Sequence, residues 1–154
     1  EQLTLTLIML KDKITQDMKD AMRSKDKQRL EAIRLLRAAI QRREVDDRAE
    51  LDEAGVISVI EKMVKQGKDS IDQFAKGNRQ DLVAKEESTL VVIEEYLPKQ
   101  LSEAEVDALI DEAFKETGAK TIKEMGKVMG WIKPKGQGKV DMGAVSAKIK
   151  KRLT

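Results

Sequence analysis

A chain of 154 residues that is 38% charged and 40% hydrophobic, with only two Phe, one Tyr and one Trp, is composed for long amphipathic helices, not for a sandwich or barrel. The absence of Cys and His excludes disulfides, thiolate nucleophiles, zinc–thiolate and imidazole metal sites, and Ser-His or Cys-His pairs. The formal net charge of +2 conceals an asymmetry: residues 120–154 hold ten Lys or Arg against two acids, whereas residues 1–119 hold twenty against twenty-six, which points to an anionic partner.

The predicted fold class is all-α. Leu7, Leu10, Ile14, Met18 and Met22 step by three or four residues and predict a first helix from about 6 to 24. Residues 1–10 are apolar and uncharged after Glu1 but lack the basic region and cleavage site of a signal peptide, so residues 1–8 are either native or an extension before a start at Met9. A second helix from Asp26 to about Asp46 buries Leu30, Ile33, Leu36 and Ile40 and turns Arg34, Arg37, Arg42 and Arg43 to solvent. Val56, Ile57, Ile60, Met63, Val64, Ile71 and Phe74 outline a third, with a left-handed stop expected at Gly77 and a kink possible at Gly67. Asn78 is the expected N-cap of a fourth, which carries Leu82, Val83, Leu90, Ile93 and Leu97 and ends before Pro98.

Pro98 marks the expected boundary between a four-helix unit, residues 1–98, and a three-helix unit, residues 99–154. Ser102 and Glu105 form a capping-box pattern opening a helix with Val106, Leu109, Ile110, Ala113 and Phe114 inward, stopped by Gly118. Thr121 and Glu124 repeat the pattern before a helix whose inward face is Ile122, Met125, Met129 and Ile132 and which Pro134 closes. Residues 133–139 read as a loop, Asp141 as the N-cap of the last helix, and Val145, Ile149 and Leu153 as its buried side. Gly126 and Gly130 read as a site of close helix packing.

Gly136-Gln137-Gly138-Lys139 is not a nucleotide-binding loop, because Lys133 and Val140 stand where a P-loop needs Gly and Ser or Thr. Acidic clusters such as Glu94-Glu95 and Asp111-Glu112 lie on helices, where a solvated surface explains them, so neither a metal nor another cofactor is expected. The basic segment survives this screening. Lys133, Lys135 and Lys139 precede a helix N-terminus that favours anions, although Asp141 would compete for the same donors. Lys148, Lys150, Lys151 and Arg152 extend the charge along the last helix, where they also complement its dipole. Trp131 reads as partly buried packing, with stacking on a base as the alternative. No apolar run approaches the roughly 18 residues that span a bilayer, so no membrane partner is expected. The lack of Cys suggests a cytoplasmic setting.

Lys127-Val128-Met129-Gly130, Gly138-Lys139-Val140-Asp141 and Ile149-Lys150-Lys151-Arg152-Leu153 resemble the tail domain of the B subunit of glutamyl/aspartyl-tRNA amidotransferase. Over residues 9–153 the chain resembles the free-standing bacterial YqeY family. Its most specific marks are Asp17-Met18-Lys19, Lys68-Asp69-Ser70, Asn78-Arg79-Gln80-Asp81-Leu82 and Glu95-Tyr96-Leu97-Pro98-Lys99-Gln100-Leu101-Ser102. The resemblance implies two helical bundles and a tail that helps to hold tRNA while other parts of a complex perform the carbon–nitrogen ligase chemistry with glutamine as amido donor. The cradle and amidase of that complex have no counterpart here, so no catalytic residue is assigned. The expected function is a non-catalytic tRNA-binding or amidotransferase-related accessory module. It would use Lys127, Lys133, Lys135, Lys139, Lys148, Lys150, Lys151 and Arg152 against the phosphates of tRNA or another structured RNA. The alternative is an adaptor that docks on an aminoacyl-tRNA synthetase, an amidotransferase or a ribosome-associated partner.

Overall fold

The computed structural model describes residues 9–154; Leu7 and the alternatives raised for residues 1–8 lie outside it. Among the described residues the regular structure is helical throughout: α1 (Leu10–Ser24), α2 (Lys27–Asp47), α3 (Glu53–Lys76), α4 (Gln80–Glu94), α5 (Glu103–Thr117), a 3₁₀ turn (Ile122–Glu124), α6 (Met125–Gly136) and α7 (Met142–Leu153). Contacts divide the chain into two compact units at the Leu97–Pro98 bond.

The first unit buries Ile14, Ala21, Ile33, Leu36, Ile40, Val56, Ile60, Val64, Ile93 and Tyr96. Met22, expected on the apolar stripe of α1, is instead 50% exposed, because Ala21 takes the inward position. Nothing on Met9 caps α1. The free Leu10 N–H donates to Glu53 Oε1 at 2.9 Å, so the first residue of α3 serves as the cap.

Gly77 does not take a left-handed conformation (φ −87°). The chain reverses one residue later, at Asn78 (φ 57°), where the Asn78 and Arg79 N–H groups donate to Ala75 and Phe74 carbonyls in a Schellman pattern. Asn78 thus closes α3 and does not cap α4, whose N-cap is Arg79. Gly67 lies within the continuous α3, and a Cβ built there would sit 2.5 Å from Leu90 Cδ2. It is a close approach of α3 and α4. α4 ends at Glu94, short of the expected Leu97, because the following N–H groups tighten onto carbonyls three residues back, and this turn carries Tyr96 into the core.

In the second unit Ile110, Ala113, Val128, Ile132, Val140, Val145 and Ile149 are buried together, flanked by Leu109, Phe114, Met129 and Trp131. Ser102 and Glu105 make the complete capping box, at 3.1 and 2.9 Å, and left-handed Gly118 (φ 65°) stops α5. Glu124 accepts from the Lys120 and Thr121 N–H groups, but a 3₁₀ turn comes before α6, and it leaves Ile122 42% exposed.

Pro134 does not close α6. So near the C-terminus it forfeits a single bond, to the Gly130 carbonyl, and the helix continues to Gly136. The loop expected over 133–139 is therefore a short turn over 137–139. Gly126 and Gly130 face open space, with nothing within 4 Å of a Cβ at either, so they do not mediate close packing within this unit.

Candidate nucleic-acid interface

The basic residues of the second unit fall into three groups. Lys133 and Lys135 lie in the last turn of α6, where backbone carbonyls and the helix dipole favour cations; they do not precede the N-terminus of α7. Lys135 Nζ stands 3.9 Å from the Trp131 ring centroid, a cation–π contact that holds the indole partly covered against the core.

Lys139 is exposed beside the turn, which is fixed from the other side. The Leu101 N–H donates to the Lys139 carbonyl at 2.9 Å, and Gln100 Nε2 donates to the Gly138 carbonyl. The anion site anticipated at the start of α7 is filled by the protein itself. Asp141 Oδ1 accepts from the Gly143 and Ala144 N–H groups at 2.9 and 3.4 Å.

The last group lies on α7. Lys148 Nζ meets Asp107 Oδ1 at 2.8 Å and Glu103 Oε1 at 3.7 Å, and these hydrogen bonds and charges raise its pKa, Asp107 foremost. Arg152 Nη1 meets Asp111 Oδ1 at 2.6 Å, with its guanidinium 4.4 Å from the Phe114 ring centroid. Sequence reasoning missed these partners. The signal was present, since Asp107 and Asp111 repeat at the same four-residue interval as Lys148 and Arg152. Lys127, Lys133, Lys139, Lys150 and Lys151 are exposed and make no ion pair within 4 Å among the described residues.

The sequence profile of the Yqey-like protein family matches residues 11–153. The chain belongs to the YqeY family. Similar curated proteins include the one named altered inheritance of mitochondria protein 41, mitochondrial, in Lachancea thermotolerans, 37% identical over 77% of this chain and 67% of the relative. Its namesake in Pyrenophora tritici-repentis is 35% identical over 86% of this chain and 75% of the relative. These names correct the cytoplasmic expectation, because they point to mitochondria. Lack of Cys constrains redox chemistry and carries no address.

Two of the marks that carry the family resemblance meet in the first unit. Tyr96, 4% exposed, donates its phenol O–H to Asp17 Oδ2 at 2.6 Å, and burial first, then this bond, pushes the phenol pKa up. Nearby elements are tied by charge. Glu44 accepts from Lys11 Nζ at 2.6 Å and from the Leu51 N–H at 2.8 Å, which lowers its pKa, while Glu95 accepts a bidentate Arg29. An open groove of about 250 Å³ beside α1 and α2 is lined by Ile14, Thr15, Arg37, Ile40 and Gln41 together with the Lys11–Glu44 pair.

Among the described residues no polar or charged residue other than Tyr96 is buried, and no cluster of three or more acidic side chains is placed to hold a metal ion. No described helix is long and apolar enough to cross a membrane. What the second unit offers chemically is cationic surface on a helical frame.

Proposed function

We propose that this YqeY-family chain is a non-catalytic RNA-binding accessory module whose preferred ligand is tRNA, with any amide-transfer chemistry supplied by a partner. The observation that carries the reading is the set of exposed lysines that make no ion pair within 4 Å among the described residues, Lys127, Lys133, Lys139, Lys150 and Lys151, in one small unit with Trp131 and Lys135. Such cations supply affinity for phosphates and little choice of sequence, so tRNA would be selected by shape.

The test is anisotropy of a labelled tRNA transcript titrated with the full chain across a range of salt. Because the curated relatives are named mitochondrial, mitochondrial tRNA belongs in the panel. Four duplex-like phosphate contacts give a logarithmic slope of roughly −3.6. The Lys133→Ala, Lys135→Ala, Lys139→Ala triple variant should flatten that slope. Binding that ignores salt, or that the triple variant leaves unchanged, overturns the reading.

The adaptor reading is supported by Leu35, 49% exposed, which lines an open groove with Lys27, Leu30, Glu31 and Arg34. A nuclease-resistant protein partner that is lost on Leu35→Glu would favour it over RNA.

A further inference from the structure

Lys148 and Arg152 stand one helical turn apart on α7, and Asp107 and Asp111 one turn apart on α5. Their heads meet in two rungs, at 2.8 and 2.6 Å, and the Phe114 ring supports the upper guanidinium. Four residues of helix rise about 6 Å, close to the separation of neighbouring phosphates on a polynucleotide strand. Ammonium and guanidinium groups take carboxylate and phosphate oxygens through the same charge-assisted hydrogen bonds. The rungs are also accessible, with side-chain exposures of 37% and 57% for Lys148 and Asp107 and of 45% and 69% for Arg152 and Asp111. One anion can therefore replace another without opening the core. Lys151, about 60° around the helix from Lys148, is exposed.

We propose that Asp107 and Asp111 are a built-in phosphate mimic, holding Lys148 and Arg152 in the free protein until a polynucleotide strand displaces them and takes both cations. The inference rests on the RNA reading above and deepens it, by naming two cations of the site and the anions that compete for them. It also explains why a segment so rich in positive charge packs against the acidic α5: part of that charge is masked until ligand arrives.

The test uses the full chain and a labelled RNA hairpin, with anisotropy as the readout. Asp107→Asn with Asp111→Asn should tighten binding by about tenfold at low salt, since two competing charges are removed from the contact. The same pair of changes in a Lys148→Gln, Arg152→Gln background should give little gain, because the cations it would free are gone. Glu112→Gln with Glu116→Gln, an equal change of net charge elsewhere on α5, is the control. Equal gains in both backgrounds, or an equal gain in the control, would mean long-range charge alone and overturn the mimic. Wild-type binding with no gain from the Asn pair overturns the mimic and leaves the RNA reading standing. No binding by any variant sinks both. Thermal melts of each variant confirm that the compared chains are folded.

Discussion

The two units spend their charges differently. In the first, charged and polar side chains tie together helices far apart in sequence: Glu53 caps α1 across 43 residues, Arg29 grips Glu95 across 66, and Tyr96 reaches Asp17 across 79. In the second, the caps are local, at Ser102–Glu105, Thr121–Glu124 and Asp141, and the long-range ties are the Gln100 bond to the Gly138 carbonyl and the pairing of Lys148 and Arg152 on α7 with acids of α5. Charge in the first unit ties distant helices together, whereas Lys127, Lys133, Lys139, Lys150 and Lys151 of the second make no ion pair within 4 Å among the described residues. The first unit should therefore be the harder to unfold and the second the more sensitive to salt and to polyanions.

The largest expected effects come from the cores. Ile60 and Ile132 are each fully buried, so truncation to Ala should cost about 2–5 kcal/mol in either unit. The smaller unit, residues 98–154, buries less surface per residue and has less stability to lose. Hydrogen exchange should show Ile132→Ala stripping protection from α5, α6 and α7 while α1–α4 keep theirs, and Ile60→Ala weakening the first unit without unfolding it. Loss of protection throughout the chain from either change would break the comparison, because the units would then unfold as one.

Next in size is Tyr96→Phe, which removes the hydrogen bond to Asp17 and should cost about 1–3 kcal/mol. Because the phenol pKa is raised in the folded state, its contribution is complete below the ordinary value of 10.0 and is lost as pH rises through the folded value. Urea midpoints for wild type and Tyr96→Phe should therefore differ most near neutrality and converge above pH 10. No gap near neutrality would show that Tyr96 acts through the packing of its ring, which Phe keeps, and not through its hydroxyl.

Local features were legible in the sequence and distant partners were not. The capping box at Ser102 and Glu105 needs only two residues at a fixed spacing, and the structure has it as read. The left-handed residues that close α1, α2 and α3 are Lys25, Arg48 and Asn78, none of them glycine, so a rule that seeks glycine at helix ends misplaces these turns. Gly67 looked like a weak point of a helix because its reason, the Leu90 side chain, lies on another helix. The same blindness affected the site. Composition counted Lys148 and Arg152 with the candidate phosphate-binding cations, and only the packing of α5 on α7 shows that they already have partners.

Ser102→Ala should cost about 1 kcal/mol, and its effect should be confined to the second unit. Glu105 completes that box. Its pKa is lowered below the ordinary 4.5 chiefly by the Ser102 backbone N–H, so its contribution is present above 4.5 and disappears as pH falls through the lower native value. The second unit should lose stability on acidification through this window, and Glu105→Gln should lose less. Equal acid sensitivity in the two chains would assign the loss to other carboxylates.

The smallest effects concern glycines and have opposite signs in the two units. Gly67→Ala places a methyl group against buried Leu90 and should destabilise. Gly130 and Gly126 are helical and exposed with open space above them, so replacement by Ala should stabilise the second unit by about 0.5–1 kcal/mol at Gly130 and less at Gly126, in the first turn of α6. On the helix surface these glycines lie between Lys127 and Lys133, each about 60° around from Gly130. If RNA approaches between the two lysines, the added methyl groups keep its backbone from the helix, and the double variant should melt later yet bind the tRNA transcript more weakly. Later melting with unchanged binding would place the outer face of α6 outside the interface and leave the turn at Lys139 and the α7 cations as the contact surface.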